Sequence, residues 1–134
     1  MTTPIREFSL PSEDVEYLNS LDLGWETVCE DKSRWLLIHR VKLPEGYKQQ
    51  FATVALRIEP AYPDTQIDMV YFSLALKRVD GKSIRKESNQ IIGKTLYQRW
   101  SRHRSSNNPW RPGVDDVSTH MAQVNYWLEW ELEK

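Results

Sequence analysis

The sequence predicts a single α+β domain built on an antiparallel sheet. Three observations carry that reading: a short amphipathic stretch near the start, four strand-like runs joined by short turns, and a longer amphipathic stretch at the end. The chain has 134 residues, 40% hydrophobic and 28% charged, which suits one domain over 1–134 with one modest core.

Ser12 is placed to cap the first helix. Glu13 and Asp14 follow in its first turn, where acidic groups suit the helix dipole, and Val15, Tyr17, Leu18 and Leu21 form its apolar side before Gly24. Trp25 to Glu30 alternates, with Trp25, Thr27 and Cys29 on one face. Trp35 to Leu43 is the second strand-like run and stops at Pro44-Glu45-Gly46. Ala52 to Ile58 is the third, ending at Glu59-Pro60-Ala61-Tyr62-Pro63, and Ile67 to Leu76 is the fourth. Consecutive strands with short turns imply an antiparallel meander. Gly81 to Gly113 reads as one long irregular loop, with a short helix expected near Ile91 to Tyr97. Such a loop in a compact domain is commonly functional. Asp115 or Asp116 is placed to cap the last helix, where Val117, Met121, Val124 and Leu128 recur at helical spacing beside Trp127 and Trp130.

Composition excludes several classes. No apolar run approaches the ~20 residues of a membrane span. The start, Met1 to Glu7, has no apolar stretch behind a basic segment, so a secretory signal is not expected. Cys29 is the one cysteine, which excludes an internal disulfide framework, and the expected compartment is the cytoplasm. His39, His103 and His120 show no metal-ligand spacing, so no metal or other cofactor is expected. Charge is uneven. Lys77 to Arg111 holds ten basic residues against Asp80 and Glu87, a balance of +8, while the rest carries −9 to give a net charge of −1. A basic flank on a near-neutral protein points to an acidic partner. Arginines interleaved with Trp100 and Trp110 would also suit single-stranded nucleic acid, but the chain holds no nucleic-acid motif and its charge is not basic overall, so that partner is not expected.

Tyr62-Pro63 after the third strand and Trp110-Arg111-Pro112 before the last helix are similar to two signatures of the ubiquitin-conjugating enzymes. The stretch Gln98 to Arg104, followed by Trp110 to Gly113 and Thr119-His120, resembles a prokaryotic branch of that superfamily. The resemblance covers nearly the whole chain. It implies the ubiquitin-conjugating-like fold, with an N-terminal helix, a four-stranded antiparallel meander, a long active-site loop and a C-terminal helix. It also implies partners: a ThiF-like activating enzyme, a ubiquitin-like protein and a metal-dependent deubiquitinase-like peptidase. Two departures stand out. No histidine precedes a proline, so the family's His-Pro-Asn tripeptide is absent. The family's cysteine, about eight residues before the Trp, is absent too, and Arg102 stands there between Ser101 and His103.

A conjugating enzyme carries an acyl group on a nucleophile at an accessible loop. With the cysteine gone, Ser101 is the expected carrier through an oxyester, with His103 as base or orienting group. Arg99, Arg102 and Arg104 are expected to stabilise the oxyanion or bind a partner, and Trp100 to anchor the loop. Cys29 is the competing nucleophile, although a lone strand cysteine more often packs as a small hydrophobe. His120, beside the apolar stripe of the last helix, reads as structural. The alternative to catalysis is a binding module that holds a ubiquitin-like protein or its activating enzyme without forming an ester.

Overall fold

The computed structural model describes residues 3–134. Met1 and Thr2, which entered the reading of the N-terminus, lie outside the described residues. Two helices, α1 (Ser12–Ser20) and α2 (Val117–Leu132), accompany six strands: β1 (Trp25–Glu30), β2 (Ser33–Lys42), β3 (Phe51–Arg57), β4 (Val70–Ser73), β5 (Glu87–Ile92) and β6 (Thr95–Trp100). The sheet order is β1-β2-β3-β4-β6-β5, and every neighbouring pair is antiparallel. The chain is therefore α+β, and β1 to β4 form the expected meander. The sheet has six strands rather than four.

The two added strands come from the segment read as irregular loop. The short helix expected at Ile91 to Tyr97 is instead the turn of a hairpin, with Ile92 opposite Thr95 and Gly93-Lys94 between them. Gly93 takes φ +63, which a glycine meets without the steric cost other residues incur. β6 then pairs with β4, Val70 opposite Trp100, and extends the sheet by two strands. The fourth run is shorter than its apolar pattern suggests, because Met69 at φ 59 breaks the strand path before Val70.

The helices cover one face of the sheet. Leu18 of α1, Val124 and Leu128 of α2, and Leu36, Val54, Phe72 and Trp100 of the sheet share one buried cluster. On the opposite face Trp35, Ala55, Tyr71, Ile92 and Tyr97 form a smaller cluster, with Trp35 edge-on to Tyr71 at 4.9 Å. Asp116 caps α2: its carboxylate accepts from Thr119 N, and the Thr119 hydroxyl accepts from Asp116 N. The cap of α1 falls on Pro11, not Ser12, which is the first helical residue, and no side chain bonds there. Cys29 is exposed rather than buried. Its face of β1 is covered at Trp25 by the Arg6 guanidinium, 3.5 Å from the ring, and at Thr27 by hydrogen bonding to Phe8 O. Cys29 lies beyond that cover, on the edge strand far from β6. No described helix is long and apolar enough to cross a membrane.

Candidate active site

The stretch after β6 keeps the alternation of a strand for four more residues, and this sorts the predicted site residues into two sets. Trp100, Arg102 and Arg104 turn inward, while Arg99, Ser101 and His103 turn outward. Ser101 N donates to Lys86 O at 3.0 Å, which pins the stretch against the entry to β5.

The inward set is structural in its contacts. Trp100 is fully buried, edge-on to Phe72 at 5.1 Å, and its indole N–H donates to Gln98 Oε1 at 2.9 Å. Arg102 donates from Nη2 to Glu131 Oε1 at 2.8 Å and to Arg85 O at 2.9 Å. Glu131 is fully buried near the end of α2 and is also approached by Arg78 at 4.0 Å and Arg85 at 3.5 Å. A buried carboxylate needs such compensation. Arg104 lies 3.8 Å from Asp115 and 5.1 Å over the Trp110 ring, and two of its nitrogens, Nε and Nη2, are buried without a partner. Burial works to raise the Asp115 carboxyl. The amide of Arg111, the Thr119 hydroxyl and the two nearby guanidinium groups outweigh it and hold Asp115 below the usual carboxylate range.

The outward set is Arg99, Ser101 and His103. His103 is largely exposed, and its Nδ1 lies 2.9 and 3.0 Å from the two carboxylate oxygens of Asp68. Asp68 immediately precedes Met69 at the entry to β4, and the β4–β6 pairing brings it opposite the loop. A carboxylate on Nδ1 selects the Nδ1–H tautomer and leaves Nε2 as a proton acceptor. His103 meets Asp68 in the structure, not Ser101. Arg99 Nε donates to Ser88 Oγ at 3.1 Å. His103 also borders a cleft of about 390 Å³ with Ser105, Asn108, Gln123, Tyr126 and Trp127, in which Asn108 donates to Gln123 at 2.8 Å.

The two sequence signatures meet in space. The Trp110 indole donates to Pro63 O at 2.9 Å, and the Tyr62 and Trp110 rings are 6.1 Å apart. The Tyr62 hydroxyl donates to Asp14 at 2.6 Å, and Asp14 accepts in turn from Val117 N at 3.1 Å. One buried carboxylate thus joins α1, the Tyr-Pro turn and the start of α2. His120 is fully buried, donates from Nε2 to Met69 O at 2.9 Å and meets the Trp127 ring edge-on. Among the described residues no group of three His, Cys, Asp or Glu side chains is placed to hold a metal ion.

Sequence reasoning missed Asp68 and Glu131, and read Asp115 only as a candidate helix cap. Asp68 and Glu131 meet their partners only through tertiary pairing, 35 positions apart for Asp68 and His103 and 29 for Glu131 and Arg102, so no local pattern marks them. The family described as prokaryotic E2 family E matches residues 10–131. No curated protein and no solved structure gives a significant match.

Proposed function

Because the chain belongs to prokaryotic E2 family E and is ubiquitin-conjugating-like, we propose that it accepts a ubiquitin-like protein from an activating enzyme and transfers it to a target through an oxyester on Ser101. The observation that carries this reading is the placement of His103 by Asp68, two residues from Ser101 on the outward side of the same extended stretch.

The chemistry follows from those groups. Ser101 Oγ attacks the C-terminal carbonyl of the ubiquitin-like protein carried by the activating enzyme: the new C–O bond forms, the carbonyl's bond to the activating enzyme's carrier group breaks, and the Ser101 proton passes through His103 Nε2 to that leaving group. An amine of the target then attacks the ester carbonyl. The C–N bond forms, the C–O bond breaks, and the proton lost by the amine passes through His103 Nε2 to the departing Ser101 Oγ. Asp68 stabilises the imidazolium that forms transiently in each step. With Arg102 and Arg104 committed to Glu131 and Asp115, Arg99 is the arginine of the three left on the acyl side. A serine hydroxyl is far less ionised than a thiol at neutral pH, so this base matters more here than beside a cysteine.

The test is adduct formation with the cognate activating enzyme, the ubiquitin-like protein and ATP. The expected adduct resists thiol reductant, is cleaved by base, disappears in Ser101→Ala and persists in Cys29→Ser. His103→Ala should slow its formation roughly 100-fold or more. An adduct that survives Ser101→Ala, or a thiol-labile one lost in Cys29→Ser, would overturn the assignment. Binding of the ubiquitin-like protein without any adduct would favour the non-catalytic module instead.

A further inference from the structure

Five of the six arginines between Lys77 and Arg111 lie beside carboxylates. Arg78 is bonded to Asp80 at 2.7 Å and lies near Glu131, Arg102 is bonded to Glu131, and Arg104 and Arg111 face Asp115. Lysines outside any ion pair among the described residues stand around a cleft of about 460 Å³ between the segment after β4 and the β5–β6 hairpin. Lys48, Lys77 and Lys82 line it, with Asn89 and Gln98 on its floor and Glu87 as its one acidic lining residue. Lys48 N donates to Lys77 O at 2.7 Å, so the two backbones run side by side and carry both lysines to the same rim. Both are exposed, and among the described residues neither forms an ion pair. Two like charges held together without a counter-charge repel each other, and a bound anion relieves that repulsion.

The floor supplies a second feature. Across the hairpin, Glu87 faces Trp100, Asn89 faces Gln98 and Ile91 faces Leu96. Period-two alternation places these three pairs on one face of the sheet. The polar floor of the cleft therefore runs directly into an apolar pair, Ile91 at 64% and Leu96 at 55% exposure. β5 is also an outer strand of the sheet. We propose that this surface docks an acidic, extended segment of a partner protein: carboxylates at Lys48, Lys77 and Lys82, and one large apolar side chain over Ile91 and Leu96. Backbone pairing along the β5 edge fits an extended ligand. The inference rests on charge and shape and is independent of acyl transfer.

Fluorescence anisotropy of the full chain with a labelled peptide, Glu-Asp-Glu-Leu-Asp-Glu, tests it without an activating enzyme. Saturable binding should weaken roughly tenfold between about 0.05 M and 0.3 M salt. Lys48→Glu with Lys77→Glu should abolish it, and Leu96→Ser should weaken it severalfold. Lys32→Glu, in the turn at the opposite edge of the sheet, should leave it unchanged. Thermal unfolding of the lysine variant should match the wild type, since both side chains are exposed. Failure to bind the peptide, equal loss in Lys32→Glu, or insensitivity to both lysine changes would overturn the proposal. So would tighter binding of an oligothymidine through the same lysines, which would make the surface a nucleic-acid site.

Discussion

His120 shows how one side chain joins two elements and acquires a pH dependence. Its Nε2–H is bonded to Met69 O, and burial is the main cause that lowers its pKa to about 4, aided by the Arg104 charge. In the unfolded chain a histidine titrates near 6.5. The unfolded state therefore binds more protons than the folded state between those values, and stability falls as pH drops below about 6.5. From pH 7 to pH 5 the loss at this site is roughly 2 kcal/mol. Urea denaturation of the wild type and of His120→Gln at the two pH values should show that this dependence shrinks in the variant. An unchanged dependence would mean that other groups set it. Glu131 makes a sharper case. Replacing it with Ala leaves Arg78 and Arg102 without their buried carboxylate, which should cost about 3–5 kcal/mol by the same denaturation measurement.

At the scale of elements, the meander and the two helices were legible because their apolar periodicities are local. The β5–β6 hairpin was not read. Gln90-Ile91-Ile92 and Thr95-Leu96-Tyr97 flank Gly93-Lys94, a two-residue turn, but Ile91, Ile92, Leu96 and Tyr97 also satisfy a helical spacing over so short a run. Gly93 at φ +63 decides the matter, and Gly93→Val should lower stability by about 1–2 kcal/mol. A second turn constrains the other side of the core. Gly46 has φ +123, and a Cβ there would stand 2.8 Å from Leu132 Cδ1, so Gly46→Ala should also destabilise, by about 1–3 kcal/mol. Thermal melts of the two variants measure both. The candidate site was half legible. Ser101 and His103 stand in the sequence beside the place of the absent cysteine. The inward turn of Arg102 and Arg104 depends on the strand alternation of β6, which the loop reading concealed, and on carboxylates from distant segments.

At the scale of the whole molecule, these contacts separate support from the proposed chemistry. The signatures at Tyr62-Pro63 and Trp110 stand outside the proposed reacting set. They join α1, the turn after β3 and the start of α2 through Asp14 and Pro63 O, and so hold the ends of the loop. The arginines fix its inner side to Glu131 and Asp115. What remains outward is Arg99, Ser101 and His103 with Asp68, the set that the proposed transfer needs. Asp68→Asn should therefore slow adduct formation while leaving the melting temperature nearly unchanged, because the His103–Asp68 pair lies at the surface. The central claim is the site of the ester. Proteolysis and mass spectrometry of the adduct trapped with the activating enzyme test it most directly: the account predicts the C-terminal acyl remnant of the ubiquitin-like protein on Ser101, and a remnant on Cys29 or on any residue outside the stretch after β6 would contradict it.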